Sequence, residues 1–332
     1  IDLMTYAENR GLREEVYRAY ISRASDVGIT PVKFDNRKVM DEILKLRSEM
    51  SILLGLSNYA EYSVQSKMVD SPESVIDFLE KLVNLSHLQA KTELKDLEAF
   101  AGHDLMPWDL MFYSEKLKQK VFNFKSADLK PYFPESSVLS GLFETIQNLY
   151  SVTLTEVQED CYHPDVRVIM LEDEDGPIGK IYFDVYAREN KRGGAWMSDF
   201  QGLYKDSLPV AFVVCNLNSP KDGKPALFDF DEIVTIFHEF GHALHHLLTK
   251  VTFPCAAGIS GVPWDGVELP SQYMENFCYE RGVIDLISGH WETGEKLPDE
   301  LFNKVIDSKN FQSGLQMLRQ CEFALWNINT HI

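Results

Sequence analysis

A chain of 332 residues can bury a large core, as one big domain or two ordinary ones. Its composition, 45% apolar and 25% charged, is that of a soluble globular protein. A formal net charge of −19 argues against nucleic acid and anionic membrane surfaces as partners, and no apolar run reaches the roughly 18 residues of a membrane span.

Up to about residue 150, apolar residues recur at steps of three and four, which predicts long helices over 5–24, 37–67, 72–101, 107–124 and 136–150. Ser71-Pro72-Glu73 supplies the third with a cap, a first-turn proline and an early acid. The stripe of Met106, Trp108, Met111, Phe112 and Tyr113 fits a core better than a ligand site. The texture changes at Ser151. Segments 152–157, 166–171, 179–186 and 209–216 are short and β-rich, with a turn signal at Glu174-Asp175-Gly176-Pro177. The division expected is therefore 1–150 as a helical part and 151–332 as a small sheet with the functional core. An edge strand of such a sheet can accept a peptide main chain as an added strand, a role placed on 210–215 or 180–184. Arg188, Lys191, Arg192, Gly193 and Gly194 make a basic turn, either a solvated loop or part of the site.

The run from Asp229 to Lys250 carries the chemistry. His238 and His242 stand four apart, so on a helix both imidazoles leave one face, one turn from each other. Two neutral imidazoles so placed can grip one Zn²⁺ at about 2.0–2.1 Å each. Glu239, on the adjacent face, can reach a water on that ion without ligating it. This is the H-E-x-x-H arrangement of metallopeptidases, with the glutamate as general base. Asp229 with Glu232 three later reads as the helix cap, and apolar residues on several faces predict a buried helix.

A catalytic zinc takes three protein ligands and a water. The pattern with a third histidine six residues after the second is excluded, because that position is Leu248. His245 and His246 are read as outer or packing residues. Glu268, at a helix start with Asp265 as its cap and Pro270 in the first turn, and Glu275, seven residues on, share a helical face. The residues alone leave open which of the two is the third ligand. Gly258, Gly261 and Gly266 punctuate the intervening loop, where glycine permits close backbone approach and hinge motion. Helices then resume over 268–290 and from 298 to the end.

His238-Glu239-Phe240-Gly241-His242-Ala243-Leu244-His245, Gly258-Ile259-Ser260-Gly261-Val262-Pro263-Trp264 and Val267-Glu268-Leu269-Pro270-Ser271-Gln272 together resemble the thimet oligopeptidase family of zinc peptidases. His163-Pro164-Asp165-Val166-Arg167 and the segment 186–196 match as well, so the likeness runs through most of the chain. It implies that His238, His242 and Glu268 bind one Zn²⁺ per chain and that Glu239 is the base. It implies an enzyme cutting internal bonds of short peptides, folded proteins being kept out by a deep channel. Asn276-Phe277 replaces the family's usual Asn-Trp, a change of core contacts rather than of chemistry.

The fold expected is α+β and predominantly helical, zincin-like, with a helical bundle on a small sheet and the zinc helix between. The rival is a non-catalytic helical scaffold with a structural or vestigial metal site. Five cysteines, Cys161, Cys215, Cys255, Cys278 and Cys321, without a C-x-x-C pair suggest reduced thiols and a cytoplasmic protein. A start without methionine and a helical pattern running to Ile332 suggest a piece of a longer enzyme, one poorly active alone because the family's tyrosine-rich oxyanion motif would lie further on.

Overall fold

The computed structural model describes residues 2–28, 32–205, 207–221 and 223–332. They form two compact units, Ile1–Asn123 with Asp307–Ile332, and Phe124–Ile306.

In the first unit the chain runs through α1 (Asp2–Tyr6), α2 (Arg10–Ile21), α3 (Arg37–Leu53), α4 (Tyr59–Val64), α5 (Pro72–Ala101) and α6 (Leu110–Phe122). The helix expected over 5–24 is broken where Asn9 caps α2 by accepting the Leu12 N–H. That over 37–67 is broken where Gly55 takes φ +79° and Asn58 caps α4. α5 has the expected bounds; Ser71 accepts the Ser74 N–H at its start, and Gly102 ends it at φ +75°.

The second unit holds α7 (Glu135–Tyr150), then β1 (Thr153–Val157), β2 (Val166–Asp173), β3 (Gly176–Tyr186), β4 (Trp196–Gln201) and β5 (Val210–Leu217), then α8 (Phe230–Leu247), α9 (Leu269–Glu275) and α10 (Arg281–Ile287). α11 (Asp299–Ser308) follows, and α12 (Ser313–Thr330) returns to the first unit, where it packs along α5. Gly314 allows that approach, since a Cβ there would come within 2.7 Å of the Ala90 nitrogen. The units do not divide at residue 150. α7 packs on β1 and α10, and Gly141 lies so close to the Leu286 backbone that a Cβ would meet it at 2.5 Å. The change of texture at Ser151 thus marks where strands begin.

The sheet is small and mixed, in the order β1-β2-β3-β5-β4, with β3 and β5 parallel and the other pairs antiparallel. The four expected strands are all present. β4 was not legible, because Ser198, Asp199, Phe200 and Gln201 are exposed and carry no apolar alternation. Its position corrects the edge assignment. The segments 180–184 and 210–215 lie in β3 and β5, each paired on both sides, whereas β4 is an edge. The basic turn is also more ordered than a solvated loop. Arg188 donates to both Asp184 oxygens at 2.6 and 2.7 Å, and Lys191 donates to Asp184 and to the Tyr186 carbonyl.

α8 lies against β3, β4 and β5. Its capping box is complete: Asp229 accepts the Glu232 N–H at 2.9 Å and Glu232 accepts the Asp229 N–H at 2.7 Å. Phe240, fully buried, wedges between Phe183 of β3, with centroids 5.3 Å apart, and Phe143 of α7, at 6.1 Å. A ring so buried contributes about 1.5–3 kcal/mol, which fixes the helix on the sheet and fixes what its opposite face presents. After α8, the helix expected over 268–290 is divided by a 3-10 turn, Asn276–Tyr279, and an extended Glu280; the one expected from 298 is divided at Gln312, φ +56°.

Candidate metal centre

The face of α8 turned away from Phe240 carries His238 and His242, their rings 4.9 Å apart and nearly perpendicular. The Nε2 atoms of both lie 3.1 Å from one oxygen, Glu268 Oε2. Glu268 directly precedes α9, and Gly241 lets that helix come close, since a Cβ at 241 would meet the Pro270 oxygen and Ser271 Cα at 2.6 Å. Asp265 lies in an earlier 3-10 turn, Trp264–Gly266, so the cap expected of it is not formed on α9. Ser271, missed in the sequence, donates its hydroxyl to Glu268 Oε2 at 2.9 Å and to the Glu268 carbonyl at 2.8 Å, turning the carboxylate toward the histidines.

Among the described residues, His238, His242 and Glu268 form the group suited to holding a metal ion. Ligand atoms spaced tetrahedrally around one zinc at about 2.0–2.1 Å stand roughly 3.3 Å apart. The 3.1 Å separations match that spacing, and the donor set of two imidazoles and one carboxylate is one zinc accepts. Burial holds the His242 imidazole below the ordinary histidine range, which favours the neutral form that can ligate.

Glu275 stands behind the group. Its Oε1 lies 2.6 Å from His238 Nδ1, so it accepts the Nδ1–H and leaves the Nε2 lone pair free. Glu239 is 5% exposed, and its Oε2 is buried without a partner. Burial is the main cause raising its carboxyl to about 7; Glu268 adds to the rise, while His238 and the Met197 N–H of β4 oppose it.

His245 and His246 are not brought into the group. His245 lies on the flank of α8 with Gly258, Gly261 and Pro270, its protonation disfavoured by burial. His246 points to β4, where its Nε2 is 2.9 Å from the Gln201 carbonyl. Gly258 and Gly261 form a 3-10 turn against the end of α8 rather than at the ligands; Gly258 has φ +53°, and a Cβ there would meet His246 Cα at 2.8 Å.

Comparison with known proteins finds a likeness over nearly the whole sequence. The model of Peptidase family M3 matches residues 3–332. The chain belongs to Peptidase family M3. It is 50% identical to oligopeptidase A of Escherichia coli (strain K12), an alignment covering 100% of this chain and 50% of that protein. It is 41% identical to the organellar oligopeptidase A, chloroplastic/mitochondrial, of Arabidopsis thaliana, over 100% of this chain and 44% of the relative. Dipeptidyl carboxypeptidase of Escherichia coli (strain K12) is 33% identical, over 97% and 48%. The chain spans about half the length of the curated relatives it matches.

Proposed function

We propose that this M3 chain carries the active site of a zinc metallopeptidase that hydrolyses internal bonds of short peptides. The observation that carries the reading is the convergence of His238 and His242 on one oxygen of Glu268, with Glu239 buried alongside and one of its oxygens unpartnered. One zinc per chain would be held by His238, His242 and Glu268. When bound, it supplies Lewis acidity, polarising a carbonyl and lowering the pKa of a water to about 7.

The protein's own residues do the rest. Glu239 Oε2 takes a proton from the attacking water and returns it to the leaving amine, a task for which its buried, unpartnered oxygen is placed beside the ligand group. Glu275 holds the His238 ring in the tautomer that leaves Nε2 unprotonated. β4, the sheet edge beside α8, receives the peptide main chain as an added strand, which reads backbone and tolerates varied side chains. Two oligopeptidases and a dipeptidyl carboxypeptidase among the relatives support short peptides as the substrate class. A structural zinc site closes with four protein ligands, often cysteines; this group has three and no cysteine, which disfavours a scaffold with a structural metal.

No helix among the described residues is long and apolar enough to cross a membrane. The free cysteines fit the cytoplasmic location proposed for the protein. The deciding experiment pairs metal analysis with cleavage of an internally quenched peptide by the natural full-length protein. One zinc per chain and chelator-sensitive cleavage are expected; bound zinc without cleavage of any short peptide would favour the scaffold.

A further inference from the structure

One buried polar residue of α8 takes no part in the chemistry above. His246 is 2% exposed and faces β4 rather than the ligand group. Its Nε2–H donates to the Gln201 carbonyl at 2.9 Å. Gln201 ends the edge strand just after an irregularity in the β4–β5 register, which leaves Phe200 unpaired between Asp199 and Gln201. Such a bulge bends a strand and re-aims its groups. The Gln201 side chain also donates to the Leu208 carbonyl at 2.7 Å, tying down the turn that follows. β4 packs along α8, and His246 ties its bulged end to that helix by a side-chain hydrogen bond. Gly258 closes over His246 from the loop side.

We propose that His246 is a positioning residue whose hydrogen bond to Gln201 holds the bulged end of β4 at a set height over α8, and so governs how the edge strand receives a peptide. This rests on the reading of β4 as the peptide-binding edge. Without that bond the bulged end of β4 loses its side-chain tie to α8 and swings, while the ligand group and Glu239 stay on the helix. Main-chain hydrogen bonds to an added strand weaken steeply with misalignment. The loss falls on peptides long enough to run along β4 and spares the reacting centre.

The test uses the natural full-length protein with zinc bound. His246→Leu keeps bulk and removes the donor; His246→Gln keeps an N–H donor at comparable reach. KM and kcat are measured with a long peptide and with a short one spanning only the scissile bond and its neighbours, and amide hydrogen exchange of residues 198–202 is followed without peptide. With one hydrogen bond at stake, His246→Leu is expected to raise KM for the long peptide about tenfold, with kcat within about twofold and short-peptide kinetics unchanged. Exchange on β4 rises by a similar factor, and His246→Gln reverses both effects. Unchanged exchange, an equal loss on both peptides, or no rescue by glutamine overturns the proposal. A wild-type protein that cleaves neither peptide overturns the peptidase reading and with it any role in peptide binding, while exchange still reports whether His246 fastens the strand.

Discussion

Glu275 Oε1 and His238 Nδ1 lie 2.6 Å apart, a contact that separates the two glutamates of the α9 region by function. Glu268 meets the Nε2 side of both histidines, whereas Glu275 meets the opposite nitrogen of one. With zinc held as proposed, Glu275 would act on the metal only through His238. Glu275→Gln is expected to weaken zinc affinity about 10–100-fold, as loss of an outer partner does, while Glu268→Ala removes a ligand oxygen and weakens it further. Competition with a graded chelator ranks the two. A larger loss in the Glu275 variant would reverse the assignment.

Glu239→Gln is expected to retain zinc and lose hydrolysis by about 10²–10⁴-fold. Amide and carboxylate have nearly the same size, so the buried site keeps its shape while the acceptor of the water's proton is gone. Zinc content and kcat on one preparation settle the matter; near-normal turnover would move the base elsewhere.

How much of this was readable in the sequence follows from what each residue depends on. His238 and His242 were legible because helical spacing alone sets their common face, and Glu239 because the same spacing puts it on the adjacent one. The choice between Glu268 and Glu275 was not fixed by spacing, since seven residues return to the same face. The grouping of Glu268 rather than Glu275 with the Nε2 atoms of the histidines depends on the start of α9 at Leu269 and on Ser271, both matters of local conformation. β4 escaped notice because an exposed polar edge has no alternation to detect. The basic turn could be read either as a solvated loop or as part of the site because its anchor, Asp184, is a buried carboxylate lying earlier in the chain, within an apolar strand.

That anchor gives a pH prediction. Burial by itself would raise the Asp184 carboxyl, but hydrogen bonds from Arg188, Lys191 and Tyr162 hold it down at about 2. With an unfolded value near 3.9, the depressed folded value contributes about 2–3 kcal/mol of stability above pH 4, lost as pH falls towards 2. Asp184→Asn removes that titration. The gap in urea midpoint between wild type and Asp184→Asn is expected to narrow as pH falls from 5 to 2. A gap independent of pH would mean the carboxylate carries no such linkage.

Gly241→Ala tests whether close contact between α8 and α9 builds the ligand group. Alanine suits a helix interior better than glycine by roughly 1 kcal/mol, so propensity alone predicts a gain. The added Cβ, however, would lie 2.6 Å from the Pro270 oxygen and from Ser271 Cα, backbone atoms that cannot rotate aside. Overpacking of this kind typically costs about 1–3 kcal/mol, enough to outweigh the gain. The clash pushes away α9, which carries Ser271 and begins directly after Glu268, while His238 and His242 stay on a helix held by Phe240. Zinc affinity is therefore expected to fall together with melting temperature. The comparison is Gly314→Ala, a similarly crowded glycine in the other unit, which should lower melting temperature without touching the metal. Equal zinc affinity in both variants would show that the α8–α9 contact does not set the position of Glu268.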